Sequence, residues 1–274
     1  MTLYTYETGS PNLNTIVFLH GGGAGGWMWQ RQMEQLQSEF HCLAPELPEQ
    51  GNSMDVKPFT IQGSAEMIAE LIRTRVPGGK AHVVGLSEGA QVTVALLSRF
   101  PDVVDHAIIS SAILRPIPWV SWMFTPRMAG WAYDVSVPPF KNNDSWIRLN
   151  MKYSAAIPEE YFPRFKEVFQ GYTRDSFIHL MTENQSLRMP TGLERATAPT
   201  LVVVGKKEYP AMIQSARDLV ATLPNAAGRM ISLGKKSSLG QEHNWSMNSP
   251  DLFTHTVRAW ITNQPLPREL APLP

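Results

Sequence analysis

Short runs of uninterrupted apolar residues recur along the chain, separated by longer stretches whose apolar positions return every three or four residues. Residues 15–19, 42–47, 81–86, 107–110, 200–204 and 229–233 read as buried strands, most of them ending in Gly, His, Pro or Ser. Residues 27–40, 61–75, 88–99, 211–223 and 250–261 read as helices. Strands that alternate with helices predict an α/β fold, a mostly parallel sheet covered by helices on both faces.

The alternation breaks once. Residues 114–198 hold no strand-like run of comparable quality, but they carry Trp119, Trp122, Trp131 and Trp146, four of the eight tryptophans. Helix-period sets such as Phe162/Phe165/Phe169 and Phe177/Leu180/Met181 fall in the same stretch. The expected organisation is a core of residues 1–113 and 199–263, an inserted helical cap of residues 114–198, and a proline-rich arm of residues 264–274. Most of the cap aromatics are expected to form a second small core, with a minority facing a cavity.

Composition narrows the functional classes. Hydrophobic residues make up 43% and charged residues 18% of 274, enough for a sizeable core. The formal net charge is zero and no basic block occurs, which predicts no nucleic-acid partner and no attraction to an anionic membrane. No apolar run approaches the roughly 20 residues of a membrane span. The first 14 residues lack the basic-then-apolar pattern of a secretory signal. Cys42 is the only cysteine, so no internal disulfide or thiolate metal cluster can form. A cytoplasmic setting is expected.

Two stretches carry chemistry. In "FLHGGGAGGWMW", residues 18–29, Gly21 to Gly26 fit G-x-G-x-x-G, and Glu46 follows at the spacing of a ribose-binding acid. Read from His20 instead, the same loop can receive an oxyanion. In "AHVVGLSEGAQVTVALL", Gly85-Leu86-Ser87-Glu88-Gly89 matches G-x-S-x-G between an apolar strand and an apolar helix. A serine there is thrust out of a sharp turn, at a helix N-terminus that favours an anion.

A serine hydroxyl needs a base. Of the seven histidines, His41 and His82 belong to strand beginnings, His106 to a loop, His179 to a cap helix and His255 to the last helix. His243, in a loop between the last strand and the final helix, is the best-placed base. Glu208, three residues past Gly205, supplies the acceptor that fixes the base's tautomer. The other acid position, after Ser110-Ser111, holds no carboxylate before the cap. An imidazole base is neutral only above roughly pH 6.5, so activity is expected to rise through that range.

With "FLHGGG", "APELPEQGNS", "VVGLSEGA", "TLVVVGKKE" and "HNW" in place, the chain resembles the α/β-hydrolase-fold serine hydrolases over nearly its whole length outside the cap and tail. The order Ser87, Glu208, His243 is that family's nucleophile, acid and base order. The resemblance implies an oxyanion hole of the Gly22 and Glu88 backbone N–H groups, each donor worth about 3–4 kcal/mol in the transition state. It also implies a carboxylic ester or lactone as substrate, an acyl-enzyme intermediate, and neither metal nor organic cofactor. Three positions depart from the family pattern: Glu208 where Asp is usual, Glu242 before the histidine, and Glu49-Gln50 in place of a Gly-His pair.

Rival readings use fewer of these residues. An NAD(P)-binding oxidoreductase would employ Gly21 to Gly26 and Glu46 but leave Ser87, Glu208 and His243 unexplained. A non-catalytic ligand-binding module would not need an intact triad. The glycine loop followed by Gly-Trp also resembles C–C bond hydrolases of aromatic ring-fission products, which place polar residues where this chain has Leu86 and Trp29. Trp27, Trp122 and Trp245 are the expected walls of a pocket for a neutral, mostly apolar ester.

Overall fold

The computed structural model describes residues 2–117 and 121–274, with the backbone alone at Ser121. Trp119 lies outside the described residues. The apolar runs become strands: β1 (Thr5–Thr8), β2 (Thr15–Leu19), β3 (His41–Pro45), β4 (Ala81–Leu86), β5 (Val104–Ser110), β6 (Thr200–Gly205), β7 (Ala226–Ile231) and β8 (Leu270–Pro272). They form one sheet in the order β1-β3-β2-β4-β5-β6-β7-β8. Strands β2 to β7 pair in parallel, while β1 and β8 close the two edges antiparallel. Every residue of β2, β4 and β6 is buried, as uninterrupted Val/Ile/Leu-rich runs require.

Helices α1 (Gln30–Leu36), α2 (Ile61–Arg75) and α3 (Glu88–Arg99) lie in the first half. Helices α4 (Pro126–Ser136), α5 (Asp144–Ser154), α6 (Phe162–Gly171) and α7 (Arg174–Asn184) fill the stretch between β5 and β6. The second half adds α8 (Pro210–Thr222), α9 (Leu239–His243), α10 (Trp245–Asn248) and α11 (Pro250–Ile261). Eight strands in one mostly parallel, helix-covered sheet are the expected fold class.

Four details differ from the sequence reading. The helix expected over 27–40 opens as a 3-10 turn, Gly26–Trp29, and α1 ends at Leu36. His106 sits inside β5 rather than in a loop. β1 escaped notice because Thr-Tyr-Glu-Thr is a polar, half-exposed edge strand. The proline-rich tail pairs residues 270–272 with β7 and buries Leu270.

Between β5 and β6 no strand occurs among the described residues. Phe162, Phe165 and Phe169 form the buried stripe of α6, and Trp146 stacks on Phe140 with ring centroids 4.6 Å apart. Trp122 and Trp131 are instead 59% exposed. Helix α7 is tied to the sheet layer by polar contacts. His179 Nδ1 lies 2.7 Å from Glu49 Oε2, Glu183 Oε2 accepts from Ile61 N at the start of α2, and Gln91 Nε2 donates to the Asn184 carbonyl.

The packing of α3 fixes the geometry of the sheet's C-terminal end. A Cβ at Gly89 would overlap the Leu19 carbonyl oxygen, and one at Gly85 would overlap the Gly89 carbonyl oxygen. Helix and strands therefore meet backbone to backbone. Gly89→Ala is expected to lower stability by about 3 kcal/mol in urea unfolding. Gly171→Ala, where a Cβ meets nothing within 4 Å, is expected to change it by less than about 0.5 kcal/mol.

Candidate active site

Ser87 stands between the last residue of β4 and the first of α3, with φ 54° and ψ −111°. A positive φ on a non-glycine residue costs about 1–3 kcal/mol and persists only where its surroundings enforce it. Here the Ser87 N–H donates to the Ser110 carbonyl at 2.8 Å, and the Ser87 carbonyl accepts from Gln91 N at 3.0 Å. The turn leaves Ser87 half-buried at the open first turn of α3, whose leading N–H groups have no intrahelical acceptor.

Glu208 follows β6 by a tight turn in which its N–H donates to the Gly205 carbonyl. Its side chain is fully buried. Oε1 accepts from Ser111 Oγ at 2.6 Å and from Gly205 N at 3.1 Å, and lies 3.6 Å from His243 Nδ1. Ser111, just past β5, adopts φ +61°, an excursion that brings its hydroxyl under the carboxylate. Oε2 is buried without a hydrogen-bond partner among the described residues. His243 ends α9 with its side chain 26% exposed, so solvent reaches the ring. Among the described residues no hydrogen bond joins Ser87 Oγ to His243. Such nucleophile–base bonds commonly tighten only around a substrate.

Glu242, a departure from the family pattern, is wholly buried and ties the two loops together. Its Oε2 accepts from Lys207 N at 2.8 Å, and its Oε1 accepts from Ser237 Oγ at 2.7 Å and Leu233 N at 3.3 Å. The residue beside Glu208 is thereby pinned to the residue before His243. Sequence reasoning noted the oddity of Glu242 but found neither this role nor that of Ser111.

The glycine loop after β2 lies over the same spot. Burial pulls the His20 imidazole down to about 4, so it is neutral. Its Nε2 accepts from Leu47 N at 2.9 Å, which leaves Nδ1–H to donate to the Gly21 carbonyl at 2.9 Å. A Cβ at Gly21 would sit 3.6 Å from Ser87 Cβ, and one at Gly22 would sit 2.9 Å from Glu88 Oε2. The later glycines serve packing. A Cβ at Gly25 would meet Glu46 Oε1 at 2.6 Å, and one at Gly26 the Ala44 carbonyl oxygen at 2.5 Å. Glu46 is buried and accepts from the Asn52 N–H and side-chain amide at 2.5 and 3.0 Å. Its carboxylate thus faces its own turn rather than a ribose.

The three tryptophans part company. Trp245 is fully buried, its indole N–H donating to Ser110 Oγ at 2.9 Å and its ring 4.5 Å from that of Phe253. It is a packing residue beneath the site, which corrects its placement as a wall. Trp122 is largely exposed. Trp27 is buried, stacks on Tyr161, and lines a cavity of about 100 Å³ with Glu46, Gln50, Arg164 and Tyr172. Neither Ser87 nor His243 lines that cavity. At the opposite end of the strands, His82, Asp105 and His106 bring possible metal-ligating atoms within 4.8 Å of one another, a grouping the sequence reading missed.

Comparison with known proteins gives one consistent answer. The model of the alpha/beta hydrolase family matches residues 16–254. An "AB hydrolase superfamily protein" of Gibberella zeae is 27% identical over 97% of this chain and 86% of its own length. RutD of Caulobacter sp. (strain K31), a candidate carbamate hydrolase, is 24% identical over 96% of both chains. A thermophilic esterase from Thermogutta terrifontis superposes with a TM-score of 0.72 at 20% identity, covering 95% of this chain and 93% of its own. That likeness is one of fold.

Removing the Glu242 carboxylate strands the Lys207 and Leu233 N–H groups. Glu242→Ala is therefore expected to cost about 2–3 kcal/mol in urea unfolding. Glu242→Gln, which keeps one acceptor oxygen, is expected to cost less than half of that.

Proposed function

Since this chain belongs to the alpha/beta hydrolase family, we propose that it is a serine hydrolase cleaving a carboxylic ester or lactone of a mostly apolar small molecule. The observation that carries the reading is the left-handed backbone of Ser87 at the mouth of α3, with Glu208 on the turn beyond β6 paired to His243 at the end of α9. Ser87 Oγ attacks the acyl carbon while His243 takes its proton. Glu208 holds Nδ1–H of the ring and stabilises the imidazolium. The N–H groups of Gly22 and Glu88 receive the tetrahedral oxyanion. His243 then protonates the leaving alkoxide, and water, deprotonated by His243 in turn, releases the acyl group from Ser87.

Trp27 is offered as the apolar wall, because its buried ring borders the cavity that shares Gln50 and Tyr172 with the surroundings of Glu88. The carbamate hydrolase reading of one relative adds carbamates to the acyl classes worth assaying, since the same nucleophile and oxyanion donors serve both.

A fluorophosphonate probe is expected to label the wild type and not Ser87→Ala. Turnover of p-nitrophenyl esters of graded chain length should fall by at least about 10³-fold in Ser87→Ala and by a smaller factor in Glu208→Gln. Labelling or turnover that survives in Ser87→Ala overturns the assignment.

A further inference from the structure

The residue after the nucleophile is a glutamate, and its carboxyl is entirely buried. The reaction as written uses only its backbone N–H. The side chain is enclosed from every direction. Gln50 Nε2, from the loop before α2, donates to Oε1 at 2.5 Å. Gly22, from the loop after β2, leaves room for Oε2 where a Cβ would come within 2.9 Å. Leu180 of α7 packs against the same glycine. Two further acidic groups face it: Glu183 of α7 and the buried Tyr172 phenol between α6 and α7. The Glu49–His179 pair stands one residue along from Gln50. Oε2 itself is buried with no hydrogen-bond partner among the described residues.

We propose that Glu88 is a positioning residue whose carboxyl must stay protonated for the Gly22 loop and the first turn of α3 to stabilise an oxyanion. This rests on the serine-hydrolase reading above. Gln50 satisfies Oε1 in either state, and Oε2 is unpaired among the described residues in either state. The neutral carboxyl leaves only a buried O–H without an acceptor, whereas the ionised one leaves a buried charge, which costs far more. Burial pushes the Glu88 carboxyl up to about 8; the Gln50 hydrogen bond opposes this and repulsion from Glu183 adds to it. Once the proton leaves, a buried negative charge lies against Gly22 and one residue from Ser87. It repels the oxyanion that the Gly22 and Glu88 N–H groups hold.

The same proton has a folding consequence whose sign is fixed. Between the unfolded value of 4.5 and the folded value of about 8, the native state holds a proton the unfolded chain has lost, so stability falls as pH rises across that window. Glu88→Gln removes the effect.

The test is a kcat/KM profile from pH 5 to 10 on p-nitrophenyl butyrate, with thermal melts over the same range. Wild type is expected to lose about tenfold or more between pH 7.5 and 9.5, and Glu88→Gln to lose less than about twofold. Glu183→Gln removes the repulsion and should move the alkaline limb to lower pH, which keeps the test open if Glu88→Gln folds poorly. The melting temperature of Glu88→Gln minus that of wild type should grow between pH 5 and 8. Equal alkaline losses in wild type and Glu88→Gln overturn the inference and leave the hydrolase reading standing. Absence of any Ser87-dependent turnover overturns the hydrolase reading instead. A melting difference that stays constant from pH 5 to 8 then overturns the protonated carboxyl as well.

Discussion

Backbone against backbone is the contact on which this molecule depends. Helix α3 approaches the ends of β2 and β4 so closely that Gly85 and Gly89 leave no volume for a methyl group. That approach dictates where β4 must stop, and the sharp reversal at Ser87 follows from it. The reversal is held from the neighbouring strand by the Ser110 carbonyl. Strain in one residue is thus sustained by a sheet and a helix that cannot separate without unfolding. The glycine loop after β2 inherits its position from the same contact, since it crosses over Ser87 and Glu88.

A second layer of order is polar and acts between loops. Strands β5, β6 and β7 each end in a loop that contributes to one network: Ser111, Glu208 and Glu242 with His243. These loops meet one another through polar side chains. They are held by buried carboxylates that accept several hydrogen bonds each, a form of order that specifies position sharply and fails when one acceptor is lost.

Periodicity in the sequence revealed β2, β3, β4 and β6 because they are buried on both faces and so read as unbroken apolar runs, whereas β5 and β7, partly exposed toward their starts, are each read three residues short there. It points to Ser87 as a candidate because glycines at that spacing have a steric cause, and to His243 and Glu208 as candidates because each follows a strand end. The missing pieces share a physical reason. β1 and β8 are edge strands with exposed sides, so their composition carries no alternation strong enough to see. Ser111, Glu88 and the packing role of Trp245 depend on which long-range neighbours enclose them. Polar residues of this kind look like surface until the fold surrounds them. The G-x-G-x-x-G match misleads for the same reason: its glycines answer to Glu46 and Ala44, which lie far along the chain.

The two antiparallel strands at the margins of the sheet bear on how this protein behaves in a crowded solution. A long parallel sheet with a bare flank offers its unpaired N–H and C=O groups as a template on which other chains can add. Here the outermost strands span only four and three residues, and the second of them contains proline. Short, proline-bearing flanks give an incoming strand too few bonds to register against. The tail that pairs with β7 thus leaves the sheet with a short, proline-bearing flank, a geometry that disfavours edge-to-edge growth.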